Sequence, residues 1–445
     1  MLATLIHNAA IVNEGSARRG SVLVEGERIA RVLSVDEGTS LRVDRTIDAT
    51  GCYLMPGVID EHVHFRDPGL TDKADVASES RAAAAGGVTS VMDMPNTKPQ
   101  TTTLEALEGK LELMSRTSRV NYSAYFGATN DNYRLLSLLP RRRVCGVKLF
   151  MGSSTGNMLV DDEQSLLRVF GGTDLLIAAH CEEPSLIAAN ISRYKQELGA
   201  SDDLPLSYHP LVRSREACLR SSALAVSLAR RTGARLHLLH LSTADELSLL
   251  TQGPVESKRI TAEACVAHLY FSAADYPRLG SRIKCNPAIK SAADRDALRQ
   301  AVATGLIDTI ATDHAPHLLG DKEGGALRAA SGMPSVQYSL VLMLQLADLG
   351  LWTMETVVER MCHAPARLYH VERRGFIREG YFADLTLVRH TPPSPLPPPL
   401  SKCGWTPFAD EQVNYRVERT IVNGQTVYAD GKVNEAVRGR SLTFE

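Results

Sequence analysis

The hydrophobic and polar positions follow two different rhythms along the chain. In about the first fifty and the last seventy residues, apolar and polar residues alternate in short runs, as in "GSVLVEGERIARVLSV" and "YRVERTIVNGQTVYADGKV". This alternation is typical of strands with one buried face, and the Asn-Gly and Asp-Gly pairs favour hairpin turns. Because neither end has enough strands to bury a face alone, we expect both ends to form one small β-sandwich domain.

Between the two ends, short apolar runs alternate with amphipathic segments of helical length. Runs such as "GVTSVMDMP", "CGVKLFM" and "DLLIAAHCE" indicate buried parallel strands, and segments such as "SREACLRSSALAVSLARRTG" end in a glycine that favours helix termination. Repeated strand–helix units form a parallel sheet. With "LMPGVIDEHVHF" as the first unit, about eight strands can be counted, which predicts an α/β protein with a (β/α)₈ TIM-type barrel.

The change of rhythm gives the expected domain boundaries. We expect the barrel over residues 54–372 and the two parts of the β-sandwich over 1–53 and 373–445. The proline-rich stretch "TPPSPLPPPL" interrupts the second part. We interpret it as an extended covering loop, because the strand pattern resumes after it.

Composition argues against a nucleic-acid-binding, a membrane-spanning or a secreted protein. The 445 residues carry a formal net charge of −2, which argues against nucleic acid or an acidic membrane surface as the main partner. No apolar run is long enough to span a membrane, and the N-terminus alternates like a strand instead of resembling a signal peptide. The eight cysteines form no CxxC pair, which favours reduced thiols and a cytoplasmic protein.

Chemistry-bearing residues follow the first predicted barrel strand. The run "LMPGVIDEHVHFRDPG" ends in His62, His64 and Arg66, each two residues apart. Residues two apart lie on one face of a strand, so these side chains point toward the same end of the barrel. Neutral imidazoles are common metal ligands. The alternative is that the two histidines are only polar residues at a strand end.

Other predicted strands end in residues of the same kind. They are His180 in "LLIAAH", His240 in "LHLLH", Asp313 in "TIATDH" and, within an apolar run, Lys148 in "GVKLF". Barrel active sites lie at the C-terminal ends of the strands, where unpaired polar groups would be costly to bury. The combination predicts a metal centre. Zinc suits these ligands, with manganese, cobalt and iron as alternatives.

Lys148 requires a separate interpretation, because an ammonium group is unfavourable beside metal cations. A desolvated neutral lysine can react with carbon dioxide, and the resulting carbamate has two oxygens that can bridge two metal ions. The alternative is a lysine in a salt bridge or with its ammonium group at the surface. In the company of the four histidines we favour the carbamate.

The motifs also resemble those of a known family along almost the whole chain. "DEHVHFRDPG", "MPNTKP", "KLFMGSSTGN", "AAHCEE", "HLLHLST", "KCNPAIK", "ATDHAPH" and "KCGWTPF" together resemble the dihydroorotase family of the amidohydrolase superfamily. The HxH motif is common to the superfamily, whereas "HFRDPG", "MPNT" and "DHAPH" are closer to dihydroorotases than to hydantoinases or allantoinases. The resemblance implies reversible, metal-dependent hydrolysis of L-dihydroorotate to N-carbamoyl-L-aspartate in pyrimidine synthesis, and a homodimer.

The resemblance further implies a role for each site residue. One of two divalent ions would be bound by His62, His64 and Asp313, and the other by His180 and His240, with carboxylated Lys148 bridging both. Asp313 would also carry the catalytic proton. The substrate-binding residues that the resemblance implies are Arg66, Asn96 and His317 for the carboxylate and Asn286 for the ring or the ureido edge.

The sequence differs from the family pattern at two places, and two other functions are also compatible with the motifs. Many relatives use an aspartate in the metal site, so Asp161 competes with Lys148 as a ligand. The text "GMPSVQ" at residues 332–337 also differs from the family pattern. The same metal site serves other cyclic amides, so an allantoinase or a dihydropyrimidinase (hydantoinase) is the alternative enzyme. The third hypothesis is a barrel that serves as a scaffold and has no catalytic activity.

Overall fold

Strands from both chain ends and from the middle of the chain form separate sheets. The computed structural model describes residues 2–152 and 158–445. The strands in chain order are β1 (Ala3–Asn13), β2 (Ser16–Glu25), β3 (Arg28–Leu33), β4 (Arg45–Asp48), β5 (Cys52–Pro56), β6 (Val58–Val63), β7 (Val88–Asp93), β8 (Asn121–Ala124), β9 (Phe126–Gly127), β10 (Val147–Phe150), β11 (Ile177–His180), β12 (Leu236–Leu238), β13 (Ile260–Cys265), β14 (Thr309–Ala311), β15 (Leu385–Pro395), β16 (Gln412–Val422), β17 (Gln425–Ala429) and β18 (Lys432–Val433).

Apart from the first one, the helices lie between or after the barrel strands, as the amphipathic segments predict. They are α1 (Val35–Thr39), α2 (Val76–Ala85), α3 (Leu104–Thr117), α4 (Glu163–Gly171), α5 (Pro184–Leu198), α6 (His209–Val212), α7 (Arg215–Thr232), α8 (Val266–Tyr270), α9 (Tyr276–Leu279), α10 (Ala292–Thr304), α11 (Ser339–Asp348), α12 (Met354–Val358) and α13 (Ala364–Leu368). Helix α7 shows why the prediction succeeds: the Ser214 hydroxyl accepts from the backbone N–H of Ala217, and Gly233 ends the helix in the left-handed conformation.

The middle of the chain forms the predicted TIM-type barrel. Strands β6 to β8 pair in parallel, and so do β9 to β14. Strands β8 and β9 are separated only by Tyr125, so they are two halves of one bent strand, and the described residues form eight barrel strands. A single parallel bridge between Val63 and His314 links the first strand to the last. The C-terminal ends of all these strands therefore face one mouth.

The two chain ends share one nine-stranded sheet. Its order is β18-β17-β16-β15-β5-β1-β2-β3, with β4 beside β1. The ends meet where β5 pairs antiparallel with β15, with Leu54 opposite Leu387. The run "LMPGVIDEHVHF", predicted as one strand, is divided: Leu54–Pro56 completes β5, and the barrel starts at Val58. Gly57 lies between them, and a Cβ there would lie 2.2 Å from the Thr89 side chain, so only glycine fits.

A buried polar network connects the sheet to the barrel. The Asp384 carboxylate accepts hydrogen bonds from the Asn423 backbone N–H (2.7 Å) and the Asn121 amide (3.1 Å), and it pairs with the Arg374 guanidinium. The side chains of Asp384 and Arg374 are 2% and 3% exposed. Removing one partner of such a pair leaves the other charge buried without compensation.

We therefore expect Asp384→Ala to lower the free energy of unfolding by about 3–5 kcal/mol. Denaturant titration followed by circular dichroism would measure it. Glu197→Ala is the matched control, because its pair with Arg193 is solvent-exposed and contributes little. If the two variants have equal free energies of unfolding, the Asp384 network does not stabilise the contact between the sheet and the barrel.

The proline-rich stretch runs from β15 across the outside of the barrel. The Tyr338 hydroxyl donates to the Pro397 carbonyl (2.9 Å), and the Gln337 amide donates to the Pro398 carbonyl (3.0 Å). Gln337 is the last residue of the segment "GMPSVQ", which differs from the family pattern. Its Oε1 accepts a hydrogen bond from the Leu400 backbone N–H. After this segment, the Trp405 indole N–H donates to the His317 carbonyl (2.7 Å) at the barrel mouth. In the described part of the chain, no helix is both long and apolar enough to cross a lipid bilayer.

Candidate active site

The structure brings the predicted site residues together at the barrel mouth. A cavity of about 1050 Å³ opens there. The ten predicted residues that line it are His62, His64, Arg66, Asn96, Lys148, His180, His240, Asn286, Asp313 and His317. They come from strands β6, β10 and β11 and from the segments that follow β6, β7, β12, β13 and β14. Parallel strands thus place residues that are up to 255 positions apart (62 to 317) in one site.

Two histidines and one aspartate converge on a single point. Oδ1 of Asp313 lies 3.3 Å from Nε2 of His62 and 3.0 Å from Nε2 of His64. One ligand atom from each of these three side chains lies within 4.8 Å of the others. Imidazole nitrogens and a carboxylate oxygen in this arrangement are a donor set that fits a divalent metal ion such as zinc.

The other nitrogen of each of these imidazoles is held by a neighbouring side chain. Nδ1 of His62 lies 2.5 Å from Oε1 of Glu263, which also accepts from the His240 backbone N–H. Nδ1 of His64 lies 2.8 Å from Oδ1 of Asn96. Because both acceptors bind a protonated Nδ1, they leave Nε2 of each ring free to act as a ligand. Contacts of this kind orient metal-binding histidines.

A second pair of imidazoles lies beside the first. Nδ1 of His180 is 2.9 Å from Nε2 of His240, and the ring centroids of His62 and His240 are 5.3 Å apart. Nε2 of His180 contacts Oε2 of Glu182 at 2.9 Å, and Arg213 pairs with the same carboxylate. Nδ1 of His240 is buried and has no hydrogen-bond partner among the described residues. The two converging ring nitrogens, Nδ1 of His180 and Nε2 of His240, fit a second metal ion.

Burial favours the neutral imidazole of three of the clustered histidines. It lowers the pKa of His64 to about 4 and lowers the pKa values of His180 and His240 as well. A neutral imidazole has a lone pair available for a metal ion, whereas a protonated one does not. Burial also acts against the charge of Asp313, but His62, His64 and Lys148 outweigh it and hold the pKa of Asp313 below its usual range. The carboxylate is therefore ionised.

Lys148 projects from β10 into this cluster and is 1% exposed. Its Nζ lies 4.6 Å from the centroid of the Phe150 ring. Burial lowers the pKa of Lys148 to about 8, so much more of the neutral amine is present near neutral pH than for an exposed lysine. Asp161, the alternative ligand, is solvent-exposed and is not among the residues that line the cavity.

Part of the cavity wall is cationic. Arg66 is 8% exposed, and its Nε donates to the Pro316 carbonyl (3.1 Å), which fixes the guanidinium against the segment after β14. One terminal nitrogen of Arg66 lies 3.0 Å from Nε2 of His317. Oδ1 of Asn286 is buried in the same wall with no hydrogen-bond partner among the described residues. These groups can bind an anion and one ring N–H of a ligand.

Three site residues have strained backbone. Arg66, His240 and Asp313 have φ values of 66°, 38° and 47°, in the left-handed region that non-glycine residues rarely adopt. Such strain is concentrated at functional sites, where the surrounding structure imposes it. Here it turns the side chains that follow β6, β12 and β14 into the cavity.

Sequence reasoning missed the residues that support the predicted ligands. Glu263 lies inside the buried strand "RITAEACV", and a carboxylate in an apolar run could have indicated its role. Glu182 follows His180 by two positions, which is a weaker signal. Lys73, whose Nζ lies 3.1 Å from Nδ1 of His317, belongs to an ordinary polar loop and had no signal in the sequence.

The chain is similar to known proteins along most of its length. Residues 167–427 match the family model "Amidohydrolase family", and residues 51–134 match "Dihydro-orotase-like". The chain is 33% identical to a dihydroorotase from Halobacterium salinarum, over 97% of this chain and 98% of the relative. It is 29% identical to an allantoinase from Bacillus velezensis, over 96% and 94%. Among solved structures, an L-hydantoinase (dihydropyrimidinase) from Arthrobacter aurescens superposes with a TM-score of 0.91 at 27% identity, covering 98% of both chains.

The first family model covers more than half of the chain, and the archaeal relative is similar from end to end. The barrel, the cluster of histidines at its mouth and these similarities lead to one conclusion: the chain belongs to the amidohydrolase family.

Proposed function

We propose that this cyclic amide hydrolase is a dihydroorotase, which hydrolyses L-dihydroorotate reversibly to N-carbamoyl-L-aspartate. The observation that carries the proposal is the buried Arg66 guanidinium beside His317 in the cavity wall. Dihydroorotate has a ring carboxylate, whereas allantoin and dihydrouracil have none. A buried guanidinium that is built to bind a carboxylate discriminates against a substrate that leaves it unpaired.

The metal centre belongs to the proposal. Divalent ions held by these ligands would polarise the ring carbonyl and make hydroxide available at neutral pH. His62, His64 and Asp313 would hold one ion, and His180 and His240 the other. Lys148, carboxylated by carbon dioxide, would bridge both, which its burial and lowered pKa support. Zinc fits this donor set best.

Asp313 is the proposed proton carrier. Its Oδ1 faces the two imidazoles, so Oδ2 is the oxygen left to accept a proton from the attacking water. In hydrolysis Oδ2 then delivers that proton to the ring nitrogen as the amide bond breaks. In the synthetic direction it removes the ureido proton. The strained backbone at Asp313 holds the carboxylate in the cavity for both roles.

The remaining polar groups orient the substrate. Because Oδ1 of Asn96 accepts from His64, its amide NH₂ is available to donate to the substrate carboxylate. The unpartnered Oδ1 of Asn286 can accept from a ring N–H. Arg66 and Asn96 therefore approach one end of the ring, and Asn286 approaches its edge.

A substrate panel tests the proposal. The purified, zinc-loaded protein should hydrolyse dihydroorotate with a kcat/KM at least about 10³-fold above that for allantoin, dihydrouracil or hydantoin, because their rings leave the buried guanidinium unpaired. A preference for allantoin or hydantoin would replace the proposal with the corresponding alternative enzyme. Absence of any turnover after loading with zinc and bicarbonate would favour the hypothesis of a non-catalytic scaffold.

Arg66→Ala should separate substrate binding from metal binding. We expect kcat/KM for dihydroorotate to fall about 10²-fold, because a hydrogen-bonded charge pair with the carboxylate is lost. Metal content, measured by elemental analysis, should equal that of the wild type, since Arg66 contacts His317 and Pro316 and not the clustered imidazoles. Loss of metal in this variant would contradict the assignment of Arg66 to the substrate.

Location and partners are also proposals. All eight cysteines are free and seven are buried, which is consistent with a reducing compartment, so we propose a cytoplasmic enzyme. Its partner is the small-molecule substrate, and a homodimer is the assembly that we expect from the family.

A further inference from the structure

The ring of His317 lies between two cationic side chains. One terminal nitrogen of Arg66 is 3.0 Å from Nε2, and Nζ of Lys73 is 3.1 Å from Nδ1. The Ser331 carbonyl oxygen is 3.1 Å from Nε2. Lys73 comes from the loop between β6 and α2, and its side chain is 23% exposed. It contacts the ring nitrogen that does not face Arg66.

The hydrogen bonds around the ring select one tautomer. A neutral imidazole has one N–H donor and one acceptor nitrogen. With the proton on Nε2, the ring donates to Ser331 and accepts from Lys73, which makes two hydrogen bonds. With the proton on Nδ1, the N–H faces the Lys73 ammonium group, the Ser331 carbonyl loses its donor, and only the bond from Arg66 remains. Lys73 and Ser331 therefore favour the Nε2–H tautomer.

The charges around the ring exclude its protonated form. Burial lowers the pKa of His317 well below its usual range, and Arg66, Lys73 and Lys322 lower it further. Lys322 is itself fixed by hydrogen bonds to three backbone carbonyls. One carboxylate opposes these cations: Oδ2 of Asp321 is 3.4 Å from Nζ of Lys73 and 3.7 Å from Nδ1 of His317. The neutral ring remains.

In the Nε2–H tautomer the ring offers Arg66 no acceptor. The terminal nitrogen of Arg66 lies 3.0 Å from Nε2, whose one hydrogen is donated to the Ser331 carbonyl. A carboxylate oxygen that enters beside both groups can accept from Arg66 and, because it is charged, can replace the Ser331 carbonyl as the acceptor of the Nε2–H. The donors are therefore already in place for an anion, and the tautomer decides whether His317 acts as one of them.

We propose that Lys73 is a positioning residue for recognition of the substrate carboxylate: its ammonium group holds His317 in the Nε2–H tautomer, so that the ring donates to the carboxylate together with Arg66. This inference rests on the proposed function and adds to it a specificity residue that does not itself need to touch the substrate. The Lys73 side chain acts through Nδ1, whereas Arg66 faces Nε2.

Lys73→Met should raise KM for dihydroorotate about 10-fold or more, because one hydrogen bond to a charged group is weakened in both ground and transition states. The value of kcat should change much less. Lys73→Arg keeps a cationic donor and should restore KM to within about 3-fold of the wild type. Lys432→Met, which removes an exposed lysine from the end of β18, is the control for loss of one positive charge.

A second measurement reads the tautomer directly. The ¹⁵N chemical shifts of the His317 ring, assigned with a His317→Asn variant, should show the Nε2–H form in the wild type and in Lys73→Arg. Lys73→Met should show the Nδ1–H form or a mixture. If the tautomer of Lys73→Met equals that of the wild type, the inference is wrong, whatever the kinetics.

The two measurements keep the inference distinct from the proposed function. Should the wild type fail to hydrolyse dihydroorotate, the proposed function is wrong, and the NMR comparison still decides the role of Lys73 in setting the tautomer. Should the wild type hydrolyse dihydroorotate while Lys73→Met has the KM of Lys432→Met, the function stands and the inference is overturned.

Discussion

In a Lys148→Ala variant, we expect the metal content to fall from two ions per chain to one or fewer and kcat/KM to fall by about 10³-fold or more, equivalent to roughly 4 kcal/mol of barrier. The reason is geometric. Lys148 is the residue on β10 that reaches the clustered imidazoles, and it is 1% exposed. Alanine at this position removes the proposed bridge between the two ion sites. Asp313 is then the one anionic side chain left among the proposed ligands to balance the charge of two cations.

Elemental analysis of the purified variant measures the metal content, and an assay with dihydroorotate measures the loss of activity. Intact-mass spectrometry under non-denaturing conditions should show the wild type heavier by one carbon dioxide, and the variant without this addition. Two metal ions per chain in Lys148→Ala would refute the bridging role.

Two control variants sharpen this experiment. Asp161→Ala removes the alternative ligand, which is exposed and lies outside the cavity wall, and should retain both metal ions. Lys258→Ala removes another buried lysine, which pairs with Asp308 (2.7 Å) at the beginning of β14. It should lower stability and leave the metal content unchanged. Loss of metal in Asp161→Ala alone would transfer the ligand role to Asp161.

An Asp313→Asn variant is expected to lose at least about 10³-fold in kcat, because the amide cannot accept the proton that Oδ2 is proposed to carry. The amide oxygen can still face His62 and His64, so part of the metal should be retained. The effect should appear in both directions of the reaction, since one group serves hydrolysis and ring closure. Progress curves starting from dihydroorotate and from N-carbamoyl-L-aspartate measure the two directions separately.

Asp203→Asn provides the comparison for this variant. The Asp203 carboxylate accepts from the backbone N–H groups of Gly325 (2.6 Å) and Leu327 (2.8 Å), outside the imidazole cluster. Its replacement tests the general effect of neutralising a hydrogen-bonded carboxylate near the cavity and should reduce kcat far less. If Asp313→Asn and Asp203→Asn lose activity equally, Asp313 does not carry the proton.

The sequence alone determined the barrel and the residues at its mouth. Apolar runs and amphipathic segments follow local backbone periodicity, so β10, β11 and α7 could be predicted within a few residues from the pattern of apolar and polar positions. Parallel strands share one C-terminal end, and that topological rule sufficed to expect His180 and Asp313 in the same site. The family resemblance then assigned roles that residue type alone left open.

Only the tertiary structure decided how these residues are oriented. Glu263 fixes the ring of His62 from 201 positions away, and Lys73 reaches His317 across 244 positions. Contacts of this kind depend on packing between strands and loops and leave no period in the sequence. The same holds for the left-handed backbone at Asp313 and for the division of one apolar run at Gly57. The local pattern of the sequence determines which side chains lie at the barrel mouth. Long-range packing determines the protonation state, the tautomer and the orientation of each of these side chains.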